Sequence, residues 1–235
     1  MARVTTLGVL AELAEEQWGL FTRQQAQAGG MAWSTLARLA ADAAAVERVA
    51  HGVYRLRGAP PADHLDLRAA WLQLAPGVPA WQRTNDAGVV SHRSAASVYG
   101  LGHLPADIHE FTLPKRRQTR RPDVRLHRSQ LADDQLKTLG GLPATSPART
   151  AADLLSARED PGAVGHVIAD ALRARGDSAA AMARAVAPHA ARFGLAHGDG
   201  PAILDWLLEL SGATEHQQWV DQARRLCNTG SDPAA

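Results

Sequence analysis

Five positive charges, Lys115, Arg116, Arg117, Arg120 and Arg121, fall within seven positions of the chain. Such a run can neutralise several phosphates and gives binding a steep salt dependence, although backbone charge alone reads no sequence. The bland alternative is a solvated basic loop. Reading bases needs a planar, bidentate group on a rigid element, and Arg38 is the only basic residue between Gly29 and Glu47. Its fork matches the acceptors of guanine. Trp33, Ser34 and Thr35 lie about one turn earlier and reach base edges or sugar if the same helix enters a groove. The alternative for Trp33 is packing against its own domain. Arg23 and Gln24 can fix phosphate register from the start of a neighbouring helix, and His51, Arg55 and Arg57 can touch backbone or minor groove from a turn and its flank. An ordinary polar surface accounts for these five almost as well.

Catalytic patterns are missing. The ten histidines are scattered without an HExxH spacing, and the single cysteine, Cys227, cannot build a thiolate metal site. Gly140-Gly141 and Gly198-Asp199-Gly200 lack the lysine of a phosphate-binding loop, and no Gly-x-Ser-x-Gly elbow occurs. The chain is therefore read as a binding protein, not an enzyme, with no cofactor and no metal.

The elements that must position these residues begin with a helix over 7–18, whose Leu7, Leu10, Leu13, Ala14 and Trp18 share one face. Thr22 is a helix N-cap, Ala28 ends that short helix at Gly29-Gly30, and an alanine-rich third helix runs over 32–45. Val46 to Val49 and Val53 to Leu56 flank a turn at Ala50-His51-Gly52 and read as a β-hairpin. This order predicts a winged helix-turn-helix over 1–58, with the Arg57 to Pro61 stretch as a linker. A mostly helical module over 62–228 follows, with helices over 63–74, 145–155, 165–175, 179–193 and 201–210 and a helix-like centre to 89–101. A second hairpin near 110–127 carries the basic run in its loop, and residues 229–235 form a disordered tail. The predicted fold class is mainly α, within α+β.

Formal net charge is only +1, so its distribution matters more than its sum. Residues 1–57 hold six arginines against five carboxylates, 58–150 hold twelve basic against eight acidic, and 151–235 hold seven against eleven. The acidic end, with Asp170, Asp177, Asp205, Glu209, Glu215 and Asp221, can dock a basic partner or a second copy, or simply be solvated. No apolar stretch suggests a membrane span, and Glu12, Glu15 and Glu16 argue against a leader peptide. A lone cysteine fits a reducing cytoplasm.

Three segments occur in a familiar order: Gly52-Val53-Tyr54-Arg55-Leu56, then Ser91-His92-Arg93-Ser94-Ala95-Ala96 with Tyr99-Gly100-Leu101, then Thr145 to Leu155, TSPARTAADLL. Together they resemble the AbiEi antitoxin family over roughly the first two thirds of the chain. The resemblance implies a bacterial regulator that binds inverted repeats in its own promoter as double-stranded DNA, as a monomer in solution or two copies on the operator. It also implies a nucleotidyltransferase-like toxin as counterpart. Two features depart from the family: Asp42-Ala43-Ala44-Ala45 stands where a glycine usually ends helix three, and Arg38 is that helix's sole basic residue. The alternatives are a protein-binding antitoxin without sequence-specific DNA binding and a truncated relative of very-short-patch-repair nucleases. After Arg149 the chain has no lysine for a nuclease centre.

Overall fold

The computed structural model describes residues 2–42 and 45–229, and the fold is α+β. Helix α1 (Ala2–Glu15) buries Leu10 and Ala14, and strand β1 (Leu20–Thr22) follows, a strand too short to show a pattern in the sequence. Thr22 closes β1 and caps α2 (Arg23–Ala28), as expected. Its hydroxyl accepts from the Gln25 N–H at 3.1 Å, and the Gln25 side-chain oxygen accepts from the Thr22 N–H at 2.8 Å. This reciprocal box satisfies two backbone donors that a helix start leaves open. Gly30, at φ +86°, turns the chain into α3 (Trp33–Asp42), shorter than the expected 32–45; residues 43 and 44 of that expectation lie outside the described residues. Strands β2 (Val46–Ala50) and β3 (Val53–Leu56) form the expected hairpin, and β1 pairs antiparallel on the other side of β3, giving the order β1-β3-β2. Phe21, Leu36, Val46 and Tyr54 fill the core beneath.

Helix α4 (Leu65–Leu74) then leads to a five-stranded mixed sheet. Its strands are β4 (Val89–Val90), β5 (His109–Leu113), β6 (Val124–Arg128), β7 (Leu136–Leu139) and β8 (Leu142–Thr145), in the order β6-β5-β4-β8-β7. The hairpin expected near 110–127 is corrected here: β5 and β6 run parallel, His109 opposite Val124 and Leu113 opposite Arg128. A hairpin needs a tight turn of a few residues, whereas 114–123 is a long basic loop opened by Pro114 that returns the chain to the starting end of β5. The true second hairpin is β7 with β8, turning at Gly140 and Gly141, both at positive φ.

Helices cover the remaining chain: α5 (His92–Tyr99), α6 (Pro147–Ser156), α7 (Pro161–Arg173), α8 (Ala179–Val186), α9 (Gly200–Leu210) and α10 (His216–Thr229). The helix expected over 179–193 stops being α-helical at Val186 and continues as a 3-10 segment, Ala187–Phe193, because Pro188 has no N–H to give the preceding turn. Helix α7 begins four residues before expectation, where Asp160 caps it and Pro161 occupies its first turn. Helix α10, unread in the sequence, buries Trp219, Val220 and Ala223. The tail expected to be disordered, apart from Thr229, lies outside the described residues.

The linker near residue 60 does not divide the core. Leu20 and Val53 of the first sheet belong to one apolar cluster with Leu67, Trp71 and Leu72 of α4 and Phe111 of β5. The sequence-predicted modules are thus packed through a common seam.

Helices α7 and α9 meet at Gly165, where an added methyl would overlap the Leu207 carbonyl. Gly165→Ala should lower stability by roughly 1 to 3 kcal/mol, as overpacking of rigid backbone does; a reduced urea midpoint at unchanged slope is the expected reading.

Candidate nucleic-acid interface

The start of α3 faces solvent. Trp33 is 42% exposed, and Ser34 and Arg38 are exposed beside it while Leu36 points inward. The Arg23 guanidinium stacks 4.2 Å above the Trp33 ring, joining the first turn of α2 to the first turn of α3. Thr35 is half-buried.

Behind Arg23 lies a cleft of about 570 Å³ lined by Arg23, Gln24, Gln27, His51, Gly52, Gln73, Pro76 and Arg121. It brings together Arg23, Gln24, His51 and Arg121, which sequence reasoning nominated separately, and none of its lining residues is a carboxylate. Several contacts set its walls. The Arg23 N–H donates to the Gly52 carbonyl at 2.9 Å, and Gln73 Nε2 donates to the His51 carbonyl at 2.6 Å. Arg48 Nη2 lies 3.2 Å from His51 Nδ1. Gln27, Gln73 and Pro76 went unnoticed in the sequence, since neutral residues on two distant segments carry no local signal.

The basic loop borders this cleft at Arg121 and is anchored where Arg117 donates to the Leu74 carbonyl at the end of α4, a favourable place for a cation. Asp123 binds Arg121 through Nε at 3.0 Å and through Nη2. Lys115, Arg116 and Arg120 are exposed. Arg55 and Arg57 part company. Arg55 is half-buried, pairs with Glu47 at 3.0 Å and donates to the Ala59 and Pro60 carbonyls, so it ties the hairpin to the linker and is not presented outward. Arg57 is exposed and lies away from the cleft, at a second hollow by the linker.

The acidic end is largely engaged within the chain. Asp170 and Glu215 both hold Arg173, Asp205 and Asp221 hold Arg224, and Asp177 pairs with Lys137 and accepts the Ala148 N–H at the start of α6. Among the described residues Glu209 alone of the six has no such partner.

A second polar centre lies under α5. Glu110, buried in β5, accepts from the Arg93 N–H at 3.1 Å and contacts His127 at 3.1 Å and Arg125 at 3.5 Å. The His127 ring stacks on His92 with centroids 3.6 Å apart, and Arg93 clamps Glu159 through two bonds. Burial, reinforced by His127 and the nearby arginines, pulls the His92 imidazole down to about 4. Burial would raise Glu110, but its bond from His127 and the charges of its neighbours hold it below the usual carboxylate range. Burial lifts Asp153 against the pull of Arg149, its partner at 2.8 Å. Among the described residues no cluster of three or more His, Cys, Asp or Glu could hold a metal, and no helix is long and apolar enough to cross a membrane.

No family model matches the chain, and no curated protein matches it. Among solved structures it is similar to the RV2827C protein from Mycobacterium tuberculosis, with a TM-score of 0.52 and 16% identity over 92% of this chain and 80% of that one. At that identity the likeness concerns the fold alone.

The depressed His92 sets a pH dependence. An unfolded histidine takes a proton near 6.5, whereas folded His92 resists until about 4, so acid favours unfolding between those values. Stability should therefore fall from pH 6.5 toward 4, by up to about 3 kcal/mol from this group. His92→Asn, which tolerates the left-handed backbone at this position (φ +52°), should flatten that part of the urea-midpoint profile, while an unchanged slope would assign it to other groups.

Proposed function

We propose that the chain is a DNA-binding regulator of the antitoxin kind. It represses its own toxin-antitoxin operon by binding inverted repeats in double-stranded promoter DNA, and it counteracts a nucleotidyltransferase-like toxin in the cytoplasm. The observation that carries the DNA-binding part is the continuity from exposed Trp33, Ser34 and Arg38, through the Arg23 stack, into a carboxylate-free cleft bordered by the basic loop. The element order α1-β1-α2-α3-β2-β3 and the strand order β1-β3-β2 support a winged helix-turn-helix with α3 as its reading helix.

In this reading α3 lies in the major groove with Arg38 toward a guanine, and Lys115, Arg116 and Arg120 meet the phosphates alongside. Inverted repeats call for two copies on the operator. The antitoxin role rests on the resemblance to AbiEi proteins. The engagement of most acidic groups by internal arginines and lysine argues against a purely protein-docking acidic face.

Fluorescence anisotropy against the DNA upstream of its own gene and a scrambled duplex, at low and physiological salt, tests this. Tight binding that prefers the upstream DNA is expected; equal affinity for both duplexes would sink the proposal. Arg38→Ala should lose about 1 to 3 kcal/mol on the upstream duplex and relax the preference. The triple variant Lys115→Gln, Arg116→Gln, Arg120→Gln should weaken both duplexes alike and reduce the salt slope by about 0.9 for each phosphate no longer neutralised.

A further inference from the structure

The basic crossover loop 114–123 has more chain than it needs. It joins Leu113 to Val124 on paired parallel strands, and since Val124 lies opposite His109 the strand rise sets these ends about 14 Å apart. Ten residues can span about 33 Å, so the ends alone leave the path of the loop open. Among the described residues, the segment 114–120 makes a single hydrogen bond to another element, from Arg117 Nη1 to the Leu74 carbonyl at the end of α4. Arg121 is engaged by Asp123 inside the loop. Lys115, Arg116 and Arg120 are exposed, and among the described residues none of the three forms an ion pair.

The end of α4 explains why Arg117 reaches back. A helix leaves its last carbonyls open, and its C-terminal end favours cations. Arg83 takes the Trp71 carbonyl at 2.6 Å and those of Leu72 and Ala75 at 2.7 Å each, and Arg117 takes the Leu74 carbonyl between them. The same short stretch holds two further parts of the interface. Gln73 donates to the His51 carbonyl at the β2-β3 turn, and the Pro76 carbonyl accepts the Thr22 hydroxyl at the start of α2. Residues 73, 74 and 76 thus each fasten a different element: the turn, the basic loop and α2.

We infer that the end of α4 sets the register between the basic loop and the rest of the interface, with Arg117 as the positioning residue. Arg117 neutralises no phosphate itself. It holds Lys115, Arg116 and Arg120 beside the β2-β3 turn and α2, where the phosphates of one duplex pass both. Of the five cations in the run, two are engaged within the chain and three are left for DNA. The inference rests on the DNA-binding reading above and assigns different tasks to charges that look equivalent in the sequence.

Anisotropy titrations of the full chain with the upstream duplex, over a series of salt concentrations, test it. Wild type is compared with Arg120→Gln, Arg117→Gln, the triple variant Lys115→Gln, Arg116→Gln, Arg120→Gln, and that triple variant with Arg117→Gln added; circular dichroism checks the fold of each. Arg120→Gln removes one free cation and should reduce the salt slope by about 0.9. Arg117→Gln also removes one charge, yet should reduce the slope by about 2 to 3, because all three free cations lose their place. In the triple variant the same substitution should cause no further loss, since nothing is left for Arg117 to position. A loss no greater than that of Arg120→Gln, or one that adds to the triple variant, overturns the inference and leaves the DNA-binding reading to stand on wild-type preference for the upstream duplex. A wild type that binds no duplex takes both readings down.

Discussion

The buried amide pair of Gln17 and Gln25 governs how the two halves of this protein sit together. Gln17 is fully buried and Gln25 nearly so. Gln17 Nε2 donates to the Leu20 carbonyl and to Gln25 Oε1, each at 3.1 Å, and Gln17 Oε1 accepts from Gln25 Nε2 at 3.0 Å and from the Ala80 N–H at 2.8 Å. Gln25 also donates to the Val78 carbonyl at 3.1 Å, and Thr22 donates its hydroxyl to the Pro76 carbonyl. Neutral amides suit this place because they satisfy donors and acceptors without the desolvation cost of a buried charge. Once the pair is formed, α2 cannot move without the 76–80 segment. The first turn of α2 and the end of α4 then line one cleft.

A second tie reinforces the first from the far side of α4. Trp18 donates its indole N–H to the Gly140 carbonyl at 2.6 Å, and Arg68 reaches the same carbonyl at 2.9 Å while stacking on the Trp18 ring at 4.4 Å. Trp18 also meets Trp71 edge to face. The β7-β8 turn is thereby fastened to the end of α1, across a linker that reads as a boundary. On the opposite flank, the ionised centre around Glu110 does for α5 and the mixed sheet what the amide pair does for the seam. Charge is tolerated there because Arg93, Arg125 and His127 surround the carboxylate.

Local chemistry announced several turns and helix starts in both modules. The Thr22 cap, the Gly29-Gly30 stop, the Ser146-Pro147 helix start and the hairpin through His51 and Gly52 each depend on residues within a few positions of one another. The parallel pairing of β5 and β6 was not legible, because both strands have the same β-prone composition whichever way the chain returns. Helix α10 was hidden as well: its sequence is strongly polar, and Trp219, Val220 and Ala223 form a face only against the helices beneath them.

By itself the sequence determined which residues could contact nucleic acid, where the turns must fall, and that positive charge gathers between residues 114 and 122. These follow from side-chain chemistry and short-range spacing. Only the tertiary structure decided which of those residues act together. It withdrew Arg55 into the linker and left Arg57 outside the cleft, turned Trp33 outward under Arg23, and joined Arg121 to His51 and Arg23 across 70 and 98 positions of sequence. The physical reason is that a buried seam of long-range hydrogen bonds and apolar contacts has no periodicity to read. It exists only when Gln17, Gln25 and Ala80, and Leu20 and Trp71, have already met.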